Sequence, residues 1–360
     1  MSDSRSEEEM VALYRARADA GDAGAMFSLG VMYAKGHGVE QSNIEAFRWY
    51  RAAAESANTD AMFNIGLMYV EGRGVEQSDV EALRCFRACA DVGDGIAMCN
   101  VGMMYASGRG VERSAVEAVR WFRLGAEAGN PKSMFNLGEM YLGGFGVEQS
   151  DVEAVRWYRS GAEAGNADAM FNLGVMYEDG RGVERSAVEA VRWYRSGAET
   201  GDTASMSNLS LMYKNGDGVE QSDLESVRWC QAGAEAGNAD AMFNLGVIYK
   251  EGYGVEQNAI EAVRWFRASA EAGNTRAMFN LGWMHQNGSG VERSAVEAVR
   301  WYRAGAEAGD ANAMFKVGVM YKNGRGVEQS DVEAMRWIKA AASLGDHSAQ
   351  QCLEKWEQLK

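Results

Sequence analysis

Residues 167–202 read Ala167-Asp-Ala-Met170-Phe-Asn-Leu-Gly174-Val-Met-Tyr177-Glu-Asp-Gly180-Arg-Gly182-Val-Glu-Arg-Ser186-Ala-Val-Glu189-Ala-Val-Arg-Trp193-Tyr194-Arg-Ser-Gly197-Ala198-Glu-Thr-Gly201-Asp202. This 36-residue pattern recurs along the chain, as one row of methionines shows: Met26, Met62, Met98, Met134, Met170, Met206, Met242, Met278 and Met314. Self-similarity at a fixed period is the signature of a repeat array, in which each unit packs on its neighbours. We therefore expect one solenoid of nine copies rather than two or three globular domains.

The first half of each copy has the spacing of an amphipathic helix. Positions i, i+3, i+4 and i+7 hold apolar or small residues, in the fifth copy Met170, Leu173, Gly174 and Tyr177. Asn166 precedes this helix, and Asn or Asp recurs at the same position in every copy, as suits an N-cap. Pro131, the one proline of the chain, falls at the first helical position of its copy, where no hydrogen bond is lost.

The second half predicts a second helix, whose start carries the strongest local signal. Ser186 and Glu189 form a capping box, in which the Ser hydroxyl accepts from one free backbone N–H and the Glu reaches back to another. The box recurs in seven other copies, and the seventh copy has Asn258 with Glu261. Each cap should contribute about 1 kcal/mol. Between the two helices, Gly180-Arg-Gly182-Val183 predicts a turn closed by a left-handed glycine.

These patterns set the predicted boundaries. Residues 1–360 form a single all-α domain with a disordered start at 1–8, an N-terminal half-repeat helix at 9–21, nine repeats at 22–345 and a C-terminal capping helix at 346–360. The half-units at the ends hide the apolar surfaces of the terminal repeats. We predict nineteen helices in all.

Composition narrows the classes of function. The net charge of −15 disfavours nucleic acid and anionic membranes and favours solubility and basic partners. No run of about 18 apolar residues predicts a membrane span. The polar, acidic start lacks the features of a secretory signal, and five cysteines follow no repeat spacing. We therefore expect a cytoplasmic monomer that binds neither membrane nor nucleic acid.

The repeat resembles a known family. Leu-Gly-x-Met-Tyr, then Gly-x-Gly-Val-Glu, then Glu-Ala-x-Arg-Trp-Tyr-Arg-x-Gly-Ala-Glu-x-Gly is similar to the Sel1-like repeat, a relative of the tetratricopeptide repeats. The resemblance covers residues 9–353. It implies an α/α right-handed superhelical solenoid, a concave groove lined by the first helix of each repeat, and adaptor work in assembling protein complexes.

The same resemblance indicates which side chains face a ligand. In the tetratricopeptide groove these are slots two, five, six, nine and twelve of the first helix, counting Ala167 as slot one. Slot six is a row of asparagines: Asn64, Asn100, Asn136, Asn172, Asn208, Asn244 and Asn280. An exposed amide offers two donors and an acceptor, which suits clamping of a peptide backbone. Alternatively, these amides bond only to neighbouring helices.

Other rows and copies carry further expectations. The phenylalanines of slot five, such as Phe135, should pack between repeats, and the methionine and tryptophan rows should be core. The eighth copy differs from the rest, with Arg276 at slot two and Trp283 at slot nine. Trp and Arg are typical binding anchors, so we hypothesise a hot spot there, against the alternative of drift in a tolerant repeat. The sixth copy has Ser210 in place of a close-packing glycine and is expected to be a weak joint.

No pattern predicts catalysis, and we expect no catalytic residue, cofactor or metal. The three histidines lie far apart, and the repeated glutamates have a capping role. Cys85, Cys89 and Cys99 occupy slots that other copies fill with Trp, Ala or Gly, and Phe, so they are interpreted as core substitutions. The leading hypothesis is a scaffold that binds a peptide or partner protein in the groove. Alternatives are a self-assembling structural array and, with weaker support, a hydrolase of unknown substrate.

Overall fold

The chain is an all-α solenoid, as predicted. Its structure, a computed structural model, describes residues 2–357 and the side chains of residues 7–356. Within 2–357 it contains twenty helices and no strand. The chain divides into two compact units, Met1–Arg185 and Ser186–Lys360.

The helices alternate regularly in both units. The first unit contains α1 (Ser2–Asp19), α2 (Ala23–Lys35), α3 (Asn43–Glu55), α4 (Thr59–Glu71), α5 (Asp79–Asp91), α6 (Gly95–Ser107), α7 (Ala115–Glu127), α8 (Pro131–Gly143), α9 (Asp151–Glu163) and α10 (Ala167–Asp179). The second contains α11 (Ala187–Glu199), α12 (Thr203–Asn215), α13 (Asp223–Glu235), α14 (Ala239–Glu251), α15 (Ala259–Glu271), α16 (Thr275–Asn287), α17 (Ala295–Glu307), α18 (Ala311–Asn323), α19 (Asp331–Ser343) and α20 (His347–Glu357). From α2 to α19, even-numbered helices are the first, or A, helices of the repeats, and odd-numbered helices are the second, or B, helices.

The number of helices and the start of the N-terminal helix differ from the expectation. Nine helix pairs with one helix at each end make twenty helices in the described residues, so the predicted total of nineteen was wrong. The structure extends the N-terminal helix back to Ser2, over the stretch for which we predicted disorder. Glutamates favour helix there, and the backbone of Glu7 lies against Gly38, just as Asn43 lies against Gly74 in the next repeat.

The A helices are capped at both ends, as repeat 4 illustrates. At the start of α8 the side chain of Asn130 accepts a 2.8 Å hydrogen bond from the backbone N–H of Ser133. At its end Gly144 has φ +66° and donates its N–H to the carbonyl of Met140. A left-handed residue is needed at this position, which explains the first glycine of the Gly-x-Gly turn.

The B helices keep only half of the predicted capping box. The hydroxyl of Ser150 accepts a 3.2 Å hydrogen bond from the N–H of Glu153, as expected. However, the N–H of Ser150 donates to the carbonyl of Tyr141 at 2.9 Å, and the Glu153 carboxylate pairs instead with Arg156 at 3.1 Å. The predicted return bond from Glu was therefore wrong. The Tyr141 carbonyl lies in the last turn of α8 and lacks a helical partner, so it accepts the hydrogen bond from the Ser150 N–H. This bond links the end of α8 to the start of α9.

Two close contacts at glycines hold the helices together, one within a repeat and one between repeats. Within repeat 4, a Cβ added to Gly138 of α8 would lie 2.6 Å from the ring of Tyr158 on α9, so this slot needs glycine. Between repeats, Gly146 has φ +73°, and a Cβ there would overlap the carbonyl group of Ala115 on α7. The second glycine of the turn thus packs on the first turn of the preceding B helix.

Candidate functional site

Within each unit, the predicted slots lie on the A helices. We call the side chains of slots two, five, six, nine and twelve, counted from the first residue of each A helix, the A-helix face. Neighbouring A helices touch along it within each unit. The Asn172 amide donates to the Glu139 carboxylate at 2.8 Å, and Arg276 pairs with Asp240 at 2.8 Å. These bonds join the faces of α8 and α10 in the first unit and of α14 and α16 in the second.

The asparagines of slot six are half-buried on this face. The amides of Asn64 and Asn280 donate to carbonyls four residues earlier in their own helices, at 3.0 and 2.8 Å. Those of Asn136 and Asn172 reach the preceding A helix, at Cys99 (3.5 Å) and Glu139. These four amides thus have structural contacts, but each amide keeps further donor or acceptor capacity.

The phenylalanines of slot five form ring pairs with the B helix of their own repeat. Phe135 lies 6.0 Å from Tyr158, centroid to centroid, and Phe243 lies 5.7 Å from Phe266. Each pair joins the A and B helices of one repeat. Contacts between repeats occur as well, since Arg276 of repeat 8 lies 4.5 Å from the ring centroid of Phe243 in repeat 7.

Repeats 7 and 8 bring the two predicted anchors onto one surface. Arg276 pairs with Asp240 and lies over the ring of Phe243, 4.5 Å from its centroid. Trp283 is 39% exposed, and the Lys250 ammonium lies 5.2 Å from its ring. Both anchors therefore make cation–π contacts with the preceding repeat. The structure gives the neighbourhood of each anchor, which the sequence did not.

The A-helix face carries opposite charge in the two units. In the first unit its charged residues are Asp60, Lys132, Glu139, Asp168 and Glu178. In the second unit they are Lys214, Asp240, Lys250, Arg276, Lys316 and Lys322. A chain of net charge −15 thus presents a mainly basic surface on the A helices of its second unit. The overall charge alone pointed to basic partners and missed this local reversal.

Glu139 is a residue that sequence reasoning missed. It occupies slot nine, which is aliphatic or Met in the other copies except at Trp283. Its half-buried carboxylate accepts hydrogen bonds from the Tyr158 hydroxyl and the Asn172 amide. Burial, and then the hydrogen bond to Glu139, raise the pKa of Tyr158 well above its usual range. The comparison between copies that singled out Trp283 would also have found Glu139.

The cysteines do not form a reactive cluster. All five cysteines are free, and burial raises the pKa of Cys85 to about 11 and of Cys230 to about 12. The thiols of Cys85 and Cys230 are therefore protonated near neutral pH. Among the residues whose side chains are described, no group of three His, Cys, Asp or Glu is placed to hold a metal ion. No helix within 2–357 is long and apolar enough to cross a membrane.

A second exposed row lies on the opposite helices. The second residue of every B helix is aliphatic and at least 62% exposed: Ile44, Val80, Val116, Val152, Val188, Leu224, Ile260, Val296 and Val332. These side chains are one repeat apart. Their position makes them controls for any binding assigned to the A-helix face.

Comparisons with known proteins agree with this architecture. The Sel1 repeat matches residues 23–58, 59–94, 95–130, 131–166, 167–202, 203–238, 239–274, 275–310 and 311–346. The chain is similar to c5321, a protective antigen present in uropathogenic Escherichia coli strains displaying an SLR fold, with 32% identity and a TM-score of 0.73 over 94% of this chain and 80% of that one. It is also similar to a Sel1 repeat protein from Oxalobacter formigenes, with 30% identity and a TM-score of 0.68 over 84% of this chain and 88% of that one. No curated protein sequence matches.

Proposed function

Because this chain belongs to the Sel1 repeat family, whose members generally mediate protein–protein interaction, we propose that it is a non-catalytic scaffold that binds a partner segment on the A-helix face of its second unit. The partner segment is extended and acidic, with at least one large apolar or aromatic side chain. Trp283 and Arg276 are its principal anchors.

The observation that carries this proposal is the joint placement of the two anchors. The exposed indole of Trp283 offers a ring for apolar contact, and the neighbouring Lys250, which pairs with Glu251 at 2.8 Å, adds a cation at its edge. Arg276 lies two turns before Trp283 on the same face of α16, over the ring of Phe243, with a guanidinium that is more than half exposed. Exposed Trp and Arg side chains dominate the binding energy of many protein interfaces.

Charge complementarity defines the class of partner. In the second unit this face has one acidic residue, Asp240, and five basic residues: Lys214, Lys250, Arg276, Lys316 and Lys322. Such a surface raises the association rate of an acidic segment and repels a basic one. The amides of slot six in the second unit, Asn208, Asn244 and Asn280, would bond the backbone of the bound segment with the capacity that their own helices leave unused.

Peptide selection on the full-length chain tests the proposal. Random twelve-residue peptides displayed on phage are selected against the immobilised protein at about 0.1 M salt. The proposal predicts enrichment of acidic peptides that contain an aromatic or large apolar residue. Their affinity should fall steeply as salt rises, because the charged contacts are exposed and screened.

Variants then locate the bound peptide. Trp283→Ala and Arg276→Ala should each weaken binding about tenfold or more, as expected for anchor residues. The matched controls Leu224→Ala and Arg264→Ala remove exposed side chains of B helices in the same unit and should leave the affinity unchanged. The proposal fails if the selected peptides are not acidic, or if the B-helix variants weaken binding as much as the A-helix variants.

A further inference from the structure

One slot of the B helices is filled by tryptophan in every repeat but one. These residues are Trp49, Trp121, Trp157, Trp193, Trp229, Trp265, Trp301 and Trp337, and repeat 2 has Cys85 instead. The tryptophans are buried or half-buried, and Trp121 belongs to a core cluster with Leu83 and Val101. Replacing an indole by a thiol removes most of the volume that this slot normally holds.

The structure shows a cavity at this place. About 400 Å³ of space lies between α3 and α5 above α4, lined by apolar side chains that include Phe47, Met62, Ile65, Tyr69 and Cys85. In repeat 3, Leu83, Met98, Val101 and Tyr105 hold the equivalent positions around Trp121. Phe47, which is larger than its equivalents, lines the cavity without filling it. An enclosed apolar cavity of about 150 Å³ binds benzene; the space at Cys85 is larger and partly open to solvent.

Two arginines at the rim of the cavity are equivalent to arginines that lie over an indole ring in other repeats. Arg84 precedes Cys85, and its equivalent Arg156 lies 5.2 Å from the ring centroid of Trp157. Arg51 corresponds to Arg87, which lies 5.9 Å from the ring centroid of Trp121. Arg84 of repeat 2 pairs with Glu81 and Arg51 of repeat 1 pairs with Glu55, and neither has an indole to cover. A ring entering the cavity would gain both cation–π contacts.

The neighbouring repeats also indicate how such a ring is recognised. The indole N–H groups of Trp121 and Trp157 are buried and have no hydrogen-bond partner. These rings are therefore held by shape, apolar contact and guanidinium stacking, without a polar bond. The Cys85 thiol stays protonated near neutral pH, because burial raises its pKa to about 11, and it presents an uncharged wall to the cavity.

We propose that the Cys85 cavity is a binding site for a planar aromatic ring the size of indole, placed between Arg51 and Arg84. The ring takes the place that the protein's own tryptophan occupies in the other repeats. It belongs either to a free aromatic molecule or to the tryptophan side chain of a peptide. The site opens beside the B helices of the first unit, so it is independent of the A-helix face of the second unit.

Titration calorimetry with indole on the full-length chain tests this site. Wild type should bind indole at one site. Cys85→Trp should fill the cavity, weaken indole binding at least about tenfold and raise the thermal midpoint of unfolding. Cys85→Phe is the second filling variant if the larger side chain does not fold, as judged by circular dichroism. N-acetyltryptophanamide in place of indole separates the two sources, because it binds only if the cavity also admits a tryptophan side chain.

A matched variant should create an equivalent cavity in another repeat. Trp157→Cys should reproduce the site in repeat 4 and give a second indole site in the wild-type background. Loss of binding in the filling variants supports the proposal. Absence of indole binding up to its solubility limit in wild type, or equal binding to wild type and both filling variants, would overturn it.

Discussion

Ser210 and Cys230 face each other in repeat 6 where other repeats pair glycine with a large side chain. The Ser210 hydroxyl donates a 2.8 Å hydrogen bond to the carbonyl of Ser226 and lies 3.2 Å from the Ser226 hydroxyl. In repeat 7 the equivalent Gly246 leaves no room for a Cβ, which would lie 2.7 Å from the ring of Phe266. The small side chain of Cys230 is therefore what permits a side chain at residue 210.

This pairing predicts strong coupling between the two positions. Cys230→Tyr alone should destabilise the chain by about 1–3 kcal/mol, because the ring collides with Ser210. Adding Ser210→Gly should recover most of that loss, with a coupling energy above about 0.5 kcal/mol. Urea unfolding of both single variants and the double variant measures this energy. Additive effects would show that the two positions are not in contact.

Amide hydrogen exchange tests the weak joint predicted for repeat 6. The hydroxyl of Ser210 is satisfied, but the repeat lacks the ring pair that joins the A and B helices of repeat 7. Amides of α12 should therefore exchange faster than those of α14. Equal protection of the two helices would contradict a weak joint.

The turn glycines should differ in their sensitivity to substitution. Gly146→Ala should cost well above 2 kcal/mol, because a left-handed conformation is strained and the added Cβ overlaps the backbone of Ala115. Gly165→Ala is the matched control: its φ is +88° but nothing lies within 4 Å of the added Cβ. Ala57 already occupies the equivalent slot with φ 62°. Thermal unfolding should show a much smaller loss for Gly165→Ala, and similar losses would refute the proposed close approach.

The half-formed capping box predicts unequal effects of its two residues. Ser150→Ala should destabilise by about 1 kcal/mol, because the first turn of α9 loses its cap. Glu153→Gln should cost only a few tenths of a kcal/mol, since it removes an exposed ion pair with Arg156 and no bond to the Ser150 backbone. Denaturant unfolding compares the two. A larger effect of Glu153→Gln would mean that the return bond of the box does form.

His285 should make the stability depend on pH. It is buried where other repeats have Tyr. Burial lowers its pKa below the ordinary 6.5, a shift that nearby Arg267 reinforces and Glu297 opposes. The folded state thus binds the proton more weakly than the unfolded state, so the stability contribution is complete above pH 6.5 and is lost as the pH falls below it.

The His285→Tyr variant separates this contribution from the rest. In repeats 6 and 9 the equivalent tyrosines, Tyr213 and Tyr321, each accept a 2.6 Å hydrogen bond from an arginine of the preceding B helix. Arg267 should bond the new hydroxyl in the same way and stabilise the chain by about 1 kcal/mol at pH 7. Denaturant unfolding of the variant at pH 7.5 and at pH 5 should show a smaller loss of stability between the two pH values than wild type shows. An unchanged loss would exclude His285 as its source.

Spacing predicted the fold because one pattern was repeated nine times. The helix pairs, their Asn or Asp caps and the left-handed glycines all follow from local rules that residues such as Asn130 and Gly144 obey. The return bond of Glu153 did not form, because the carbonyl of Tyr141, in the last turn of the preceding helix, accepts the same N–H. Local sequence patterns do not contain such a competitor.

The candidate site was less predictable than the fold. Comparison of copies found Arg276 and Trp283 as exceptions, but their contacts with Asp240 and Lys250 depend on how adjacent A helices align. The Cys85 cavity was visible only as a substitution in a row, since its volume depends on three helices at once. A position that differs in only one copy can be found from the sequence. The volume around that position can be found only from the structure.

The most direct measurement of the central claim is site-specific photocrosslinking of a selected acidic peptide. A photoreactive residue is placed at Val247, at slot nine beside Trp283 on the A-helix face, and separately at Leu224, on the exposed row of the B helices. We predict crosslinks to the peptide from position 247 and none from position 224. Crosslinks from position 224, with none from position 247, would contradict binding on the A-helix face.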